Sequence, residues 1–391
     1  MKRYTFPLAL ILSLPASIAA QGIDSVLSAI ETNNIQLKAM RAEINAATHE
    51  LKAENSLDGP SIEYSPFFRR GASGVASSEM VVSQEFDFPT LYAARGKSGK
   101  LQRNVLDKGL DSSRRDILLN AKLTCLELVY LDRQKEILAE REAVAVELQK
   151  LFGKRFDEGE VNILEVNRVK IENMEVLAAV AENRAAISRA RNALTALNGD
   201  IPVDPGEISY PEIPLWLISD EGAPSLTEND TELKAAHASI EAARQEINVS
   251  RQGWLPKITL GYRRNTELDE ASNGFLVGVS VPIFSNSSKV KAAKSRLVAS
   301  QLNMDDTRAR IANEVTSSLA ELKSLHGVIS LYDLPLMKKT LALMKKSVEL
   351  GNMSVIDFYI ESDKIYSKIQ DYLSLENRYH TLAATLLKNE L

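Results

Sequence analysis

The sequence predicts a mainly α protein with a four-stranded β contribution and an internal duplication. Four long tracts, 24–57, 90–199, 228–254 and 287–391, are rich in Ala, Glu, Lys, Arg and Leu and nearly free of Gly and Pro, the composition of strong helix formers. Two regions between them alternate apolar and polar residues with period two, as strands do. The order also repeats: Leu37-Lys38-Ala39 returns as Leu233-Lys234-Ala235 and Pro60 as Pro256, both at a spacing of 196.

At the N-terminus, Lys2 and Arg3, the apolar stretch Leu8 to Leu14 and the small residues Ser17-Ile18-Ala19 have the form of a secretory signal. Residues 1–19 are therefore expected to be removed on export, taking the net charge from −5 to −7. An acidic chain without a basic, aromatic-interleaved patch is not expected to bind nucleic acid. The lone Cys125, among Leu123, Leu126 and Val129, excludes an intrachain disulfide and reads as a packed thiol.

The first repeat, 20–199, reads as helix, β-hairpin (about 61–88), long helix, glycine turn, helix. In its hairpin Ile62 and Tyr64 point one way, and Met80, Val82, Phe86 and Phe88 alternate with Val81, Ser83, Glu85 and Asp87. A polar loop, Arg69 to Ser78, joins the strands. Residues 200–227, with Pro202, Pro205, Pro211, Pro214 and Pro224, form a linker expected to pack through Trp216 and its apolar neighbours.

The second repeat, 228–391, has the same order, with its hairpin at about 257–284 and a loop from Arg264 to Asn273. Ile258, Leu260 and Tyr262 share a face, as do Phe275, Val277, Val279, Val281 and Ile283. Ile62 and Tyr64 fall on Ile258 and Leu260 at the spacing of 196. On the return strand the spacing drops to 195, because a one-residue slip would turn the apolar face over. Alternation of this kind fits either a half-buried soluble sheet or a barrel wall.

Beyond 287 the apolar residues follow heptads: Leu297, Met304, Ile311, then Val315, Leu322, Ile329, Leu336, Leu343 and Leu350. Such a repeat keeps one seam against a partner helix and predicts a coiled coil. Pro335 should kink or break it. Met337 and Met344 read as packing residues. Glu158-Gly159 with Ile163-Leu164-Glu165 matches Leu350-Gly351 with Val355-Ile356-Asp357 at a spacing of 192. Gly159 and Gly351 then mark two helix-to-helix turns, Lys154 to Asn162 and Val348 to Ser354, needing a positive φ or a close backbone approach.

No later stretch is apolar enough for a transmembrane helix, so entry into a membrane would have to use strands. Four strands cannot close a barrel, since about eight are needed, and open edges in lipid leave backbone groups unpaired. A membrane reading thus requires an oligomer. An enzyme is not expected: His49, His237, His326 and His380 are scattered, His49-Glu50 lacks a second histidine, and there is no phosphate loop or nucleophile elbow. No cofactor or metal site is expected. A soluble periplasmic coiled-coil adaptor or scaffold is the competing reading.

The duplicated layout, Pro256-Lys257-Ile258, the segment Gly278-Val279-Ser280-Val281-Pro282-Ile283-Phe284 and the glycine turns resemble the outer-membrane efflux protein family of TolC-like channels. The resemblance covers essentially the mature chain. It implies a homotrimer whose strands close a transmembrane β-barrel in the outer membrane, above a long α-helical coiled-coil barrel in the periplasm. A periplasmic adaptor protein and an inner-membrane pump, for example of the resistance-nodulation-division type, would dock at the far end. Adaptor contact would fall on the turns, at Glu158, Gly159, Gly351 and Asn352. The family's aperture acid, six residues past the second glycine, falls on Asp357, with Glu165 as its first-half counterpart. Two departures follow from the same alignment: a second aperture acid falls on Ile360, and a latching tyrosine and arginine fall on Val348 and Met353.

Overall fold

The structure, a computed structural model, describes residues 22–71, 74–219, 223–267, 270–282 and 286–391. The signal segment, along with Ile283 and Phe284, lies outside the described residues. The element order is α1 (Ile23–Asn33), α2 (Ile35–Ala53), β1 (Ser61–Phe68), β2 (Val75–Phe86), α3 (Pro89–Asp157), α4 (Ile163–Leu197), α5 (Ala223–Glu228), α6 (Thr231–Gln252), β3 (Lys257–Glu267), β4 (Glu270–Ser280), α7 (Asn286–Ile329), α8 (Leu334–Glu349) and α9 (Val355–Leu386). Among the described residues no helix is long and apolar enough to cross a membrane.

Local chemistry sets the helix ends. Asn34 separates α1 from α2 and caps the latter, its side chain accepting from the Leu37 amide at 2.9 Å. Pro89 opens the 69-residue α3, where its missing N–H costs nothing. Asp230 caps α6 by accepting from the Glu232 amide at 2.7 Å. Strands differ from expectation at their ends. β2 starts at Val75 and stops at Phe86, leaving Phe88 outside, while β3 and β4 run to Glu267 and from Glu270, well into the expected loop.

The chain forms two compact units, each taking segments from both repeats. One comprises the segment ending at Asn33, Ala121–Pro211 and Pro335–Asn377. It holds a core of Leu148, Phe152, Val169, Val348, Val355, Phe358 and Tyr359. Cys125 is fully buried there, and burial pushes its thiol up to about 12, so it stays protonated. The other comprises Asn34–Asn120, Glu212–Leu334 and Arg378–Leu391 and carries the sheet. In it the linker is anchored by Leu217, fully buried with Leu226, Leu319, Leu322, Ala383 and Leu386, whereas Leu215 is 83% exposed.

The heptad tract divides. α7 ends at Ile329, and Pro335 sits in the first turn of α8, so the proline starts a new helix instead of kinking one. Ile311 and Leu322 are buried as the seam requires, but Leu336, Leu343 and Leu350 are 59%, 58% and 66% exposed. α8 packs on its own chain with another face, through Met344 and Val348. Beyond the break the heptad stripe is left open in the single chain.

The sheet is antiparallel in the order β1-β2-β3-β4, so β1 and β4 are open edges. Ile62 pairs with Val82, Val82 with Tyr262, and Tyr262 with Phe275, fixing one register across all four strands. Gly261 has a steric reason: an added Cβ would lie 2.6 Å from the Val82 carbonyl oxygen and 2.9 Å from Ser83 Cβ.

Candidate functional site at the glycine turns and the sheet

Gly159 and Gly351 have φ of 75° and 77°, and nothing lies within 4 Å of a Cβ added at either. A left-handed conformation, not a close approach, is what requires glycine. The two turns close identically. The amide after each glycine donates five residues back, Glu160 to the Arg155 carbonyl and Asn352 to the Ser347 carbonyl, both at 2.8 Å. Each glycine amide donates three back, to Phe156 and Val348, at 3.0 Å. These paired bonds satisfy the last carbonyls of α3 and α8.

The helices that follow start alike. Asn162 caps α4, accepting from the Leu164 and Glu165 amides, while Glu165 Oε2 accepts from the Asn162 amide at 3.0 Å, completing a capping box. Ser354 caps α9 through its side chain: the Asp357 amide donates to its hydroxyl at 3.1 Å, and that hydroxyl, not the backbone amide, donates to Asp357 Oδ2 at 2.8 Å. Glu165 and Asp357 are therefore structurally equivalent third residues of their helices. Asp357 is exposed and Glu165 half-buried. Glu158 and Asn352 are exposed at the turns, and Glu158 lies 3.7 Å from Lys154 Nζ.

Val348 is fully buried in the apolar core beneath the turns, with Met353 packed against it. Apolar side chains thus occupy both positions where a polar latch would fall if the resemblance held there. Ile360 is 47% exposed.

Further along α3, α4 and α9 lies a cluster that no motif announces. Arg141 of α3 binds Glu172 of α4 and, at 2.6 Å, Asp363 of α9, and its guanidinium sits 4.9 Å from the centre of the Tyr366 ring. Glu172 is 2% exposed. Burial first, and the Glu172 charge second, hold the Asp363 carboxyl above its usual range, against the pull of Arg141 and Arg168. Burial also pushes the Tyr366 hydroxyl up to about 12. One signal was available in the sequence. Glu172 falls on the apolar stripe Val166, Val169, Val176, where an acid needs a buried partner.

The sheet has two chemically distinct faces. The register puts Ile62, Tyr64, Met80, Val82, Ile258, Leu260, Tyr262, Phe275, Val277 and Val279 together. The opposite face carries Glu63, Glu79, Glu85, Lys257, Arg263, Glu267 and Glu270, with Arg263 bound to Glu79 at 2.8 Å and Lys257 to Glu85 at 2.5 Å. The apolar face is uncovered: Ile62, Phe275, Val277 and Val279 are 72%, 93%, 70% and 66% exposed. A half-buried soluble sheet would cover that face, so the pattern is that of a wall between lipid and water.

The outer membrane efflux protein family model matches residues 26–200 and 223–388. The cobalt-zinc-cadmium resistance protein CzcC of Cupriavidus metallidurans is 18% identical over 380 residues, covering 93% of this chain and 88% of that protein. The outer membrane protein TolC of Vibrio cholerae is 21% identical over 388 residues, covering 90% and 87%. Among solved structures, the Campylobacter jejuni CmeC outer membrane channel superposes with a TM-score of 0.77 at 16% identity, covering 94% of this chain and 85% of that one.

Proposed function

The chain belongs to the outer membrane efflux protein family, and from that premise we propose that three copies form the outer-membrane conduit of a tripartite efflux pump. It is an efflux channel component of the outer membrane and not an enzyme. The finer reading is that small molecules or ions pass from an inner-membrane pump, of the resistance-nodulation-division type, through a periplasmic adaptor into a homotrimeric tube. The uncovered apolar face of an open-edged sheet is the observation that carries it. Lipid takes that face, and strands of neighbouring copies take the edges. The same feature speaks against a soluble adaptor or scaffold. A heat-resistant trimer in detergent extracts of outer membranes is expected, and a soluble monomer overturns the reading.

The turns around Gly159 and Gly351, with Glu158 and Asn352 exposed on them, are the proposed adaptor contact. Crosslinks from both turns to a co-expressed adaptor are the expected result; their absence removes the assignment. The aperture is assigned to Asp357, with Glu165 a lesser contributor because it is half-buried where Asp357 is exposed. Carboxylates repeated by threefold symmetry around a narrow pore favour cations. Asp357→Ala should lower cation selectivity in planar bilayers, and unchanged conductance and reversal potential would count against it.

A further inference from the structure

The four strands carry eight charged residues, and seven of them lie on the polar face. The exception is Arg264. It pairs in register with Met80 and Asn273 and shares the face of Tyr64, Tyr262 and Phe275. Arg263, its neighbour in the chain, points to the other face and binds Glu79. Among the described residues Arg264 takes part in no ion pair. A charge on a lipid-facing position is costly at mid-membrane and nearly free at the boundary. Its surroundings are those of a boundary. Tyr64 and Tyr262 lie beside it, the Tyr262 hydroxyl donates to Asn273 Oδ1 at 2.6 Å, and aromatic rings gather where hydrocarbon meets water. Below it the face is apolar from Tyr262 to Ile258 and from Phe275 to Val279, interrupted only by Gln84. Beyond it, at the same end of the sheet, Arg69 and Arg70 follow β1, exposed and outside any ion pair among the described residues.

We propose that Arg264 forms a binding site for the phosphate of an anionic lipid headgroup at the hairpin-loop boundary of the membrane. The site rests on the channel reading, since it needs the apolar face in lipid. Its occupant follows from charge complementarity: an unpaired guanidinium on an otherwise uncharged wall meets a phosphate where the hydrocarbon ends.

The test uses the full-length trimer in phosphatidylcholine vesicles containing a minority of phosphatidylglycerol. Native mass spectrometry reads the ratio of the two lipids retained. The wild type should enrich phosphatidylglycerol, and Arg264→Gln should lose about fivefold of that enrichment, the contribution of one arginine near an anionic surface. Arg264→Lys should keep most of it, and Arg263→Gln all of it. A wild type that inserts without preferring phosphatidylglycerol, or an Arg264→Gln trimer that prefers it equally, overturns the site alone. A wild type that stays out of the vesicles overturns the channel reading as well.

Discussion

Gly351 and Gly159 show how a single residue sets a turn. At φ near 77° an L side chain crowds its own carbonyl, so Gly351→Ala should cost about 1–2 kcal/mol in chemical unfolding, though there is open space for the methyl. Asn162→Ala removes the acceptor for two amides and should cost about 1 kcal/mol. Both glycines and both following acids were legible from the repeat alone. Their hydrogen bonding was not, because a capping box and a pore-lining acid call for the same residue at the same place. Glu232 adds a pH dependence. Burial raises its carboxyl, but hydrogen bonds from Arg115 and Arg310 outweigh burial and hold it below the usual range. Its contribution is present above the unfolded carboxylate value and is lost as pH falls through the lowered folded value. Melting curves of wild type and Glu232→Gln should therefore converge in acid and separate at neutral pH.

The elements were readable where composition alone decides them, and the surface that covers each apolar stripe was not. α4 and the stretch of α3 between Gly109 and Gly153 follow from long runs of helix formers without glycine or proline. The seam of α8 does not. Leu336, Leu343 and Leu350 continue the heptads of α7 but are exposed in the single chain, which packs α8 through Met344 and Val348 instead. Periodicity states that a helix has an apolar stripe, not which molecule covers it. The Arg141 cluster is hidden for a related reason. Its members lie on three helices far apart in sequence and meet only when α3, α4 and α9 pack. Replacing Arg141 with Met strands Glu172 in an apolar setting and should cost about 3 kcal/mol. Glu172→Gln in that background should recover much of the loss, which a double-mutant cycle would measure.

For the molecule as a whole, the duplication and the shortage of strands in the sequence already argue for assembly. The structure adds the two-faced sheet and the place where its strands press together. Gly261→Val forces apart β2 and β3, since its Cβ would lie 2.6 Å from a backbone oxygen. The variant should keep its helical circular dichroism and lose the heat-resistant trimer on gels. What remained illegible was the choice between a soluble sheet and a barrel wall. Both alternate with period two, and only the register and the absence of a covering layer separate them.

The two open edges also carry a consequence for timing. In the proposed trimer β1 and β4 of each copy stay without neighbours until other copies arrive, so the final step is a collision and not a rearrangement. Trimer appearance in refolding should slow steeply on dilution while helix formation keeps its rate. On the trimer reading, a cell making too little of this chain would hold monomers with exposed edges, prey to proteases before a barrel can close.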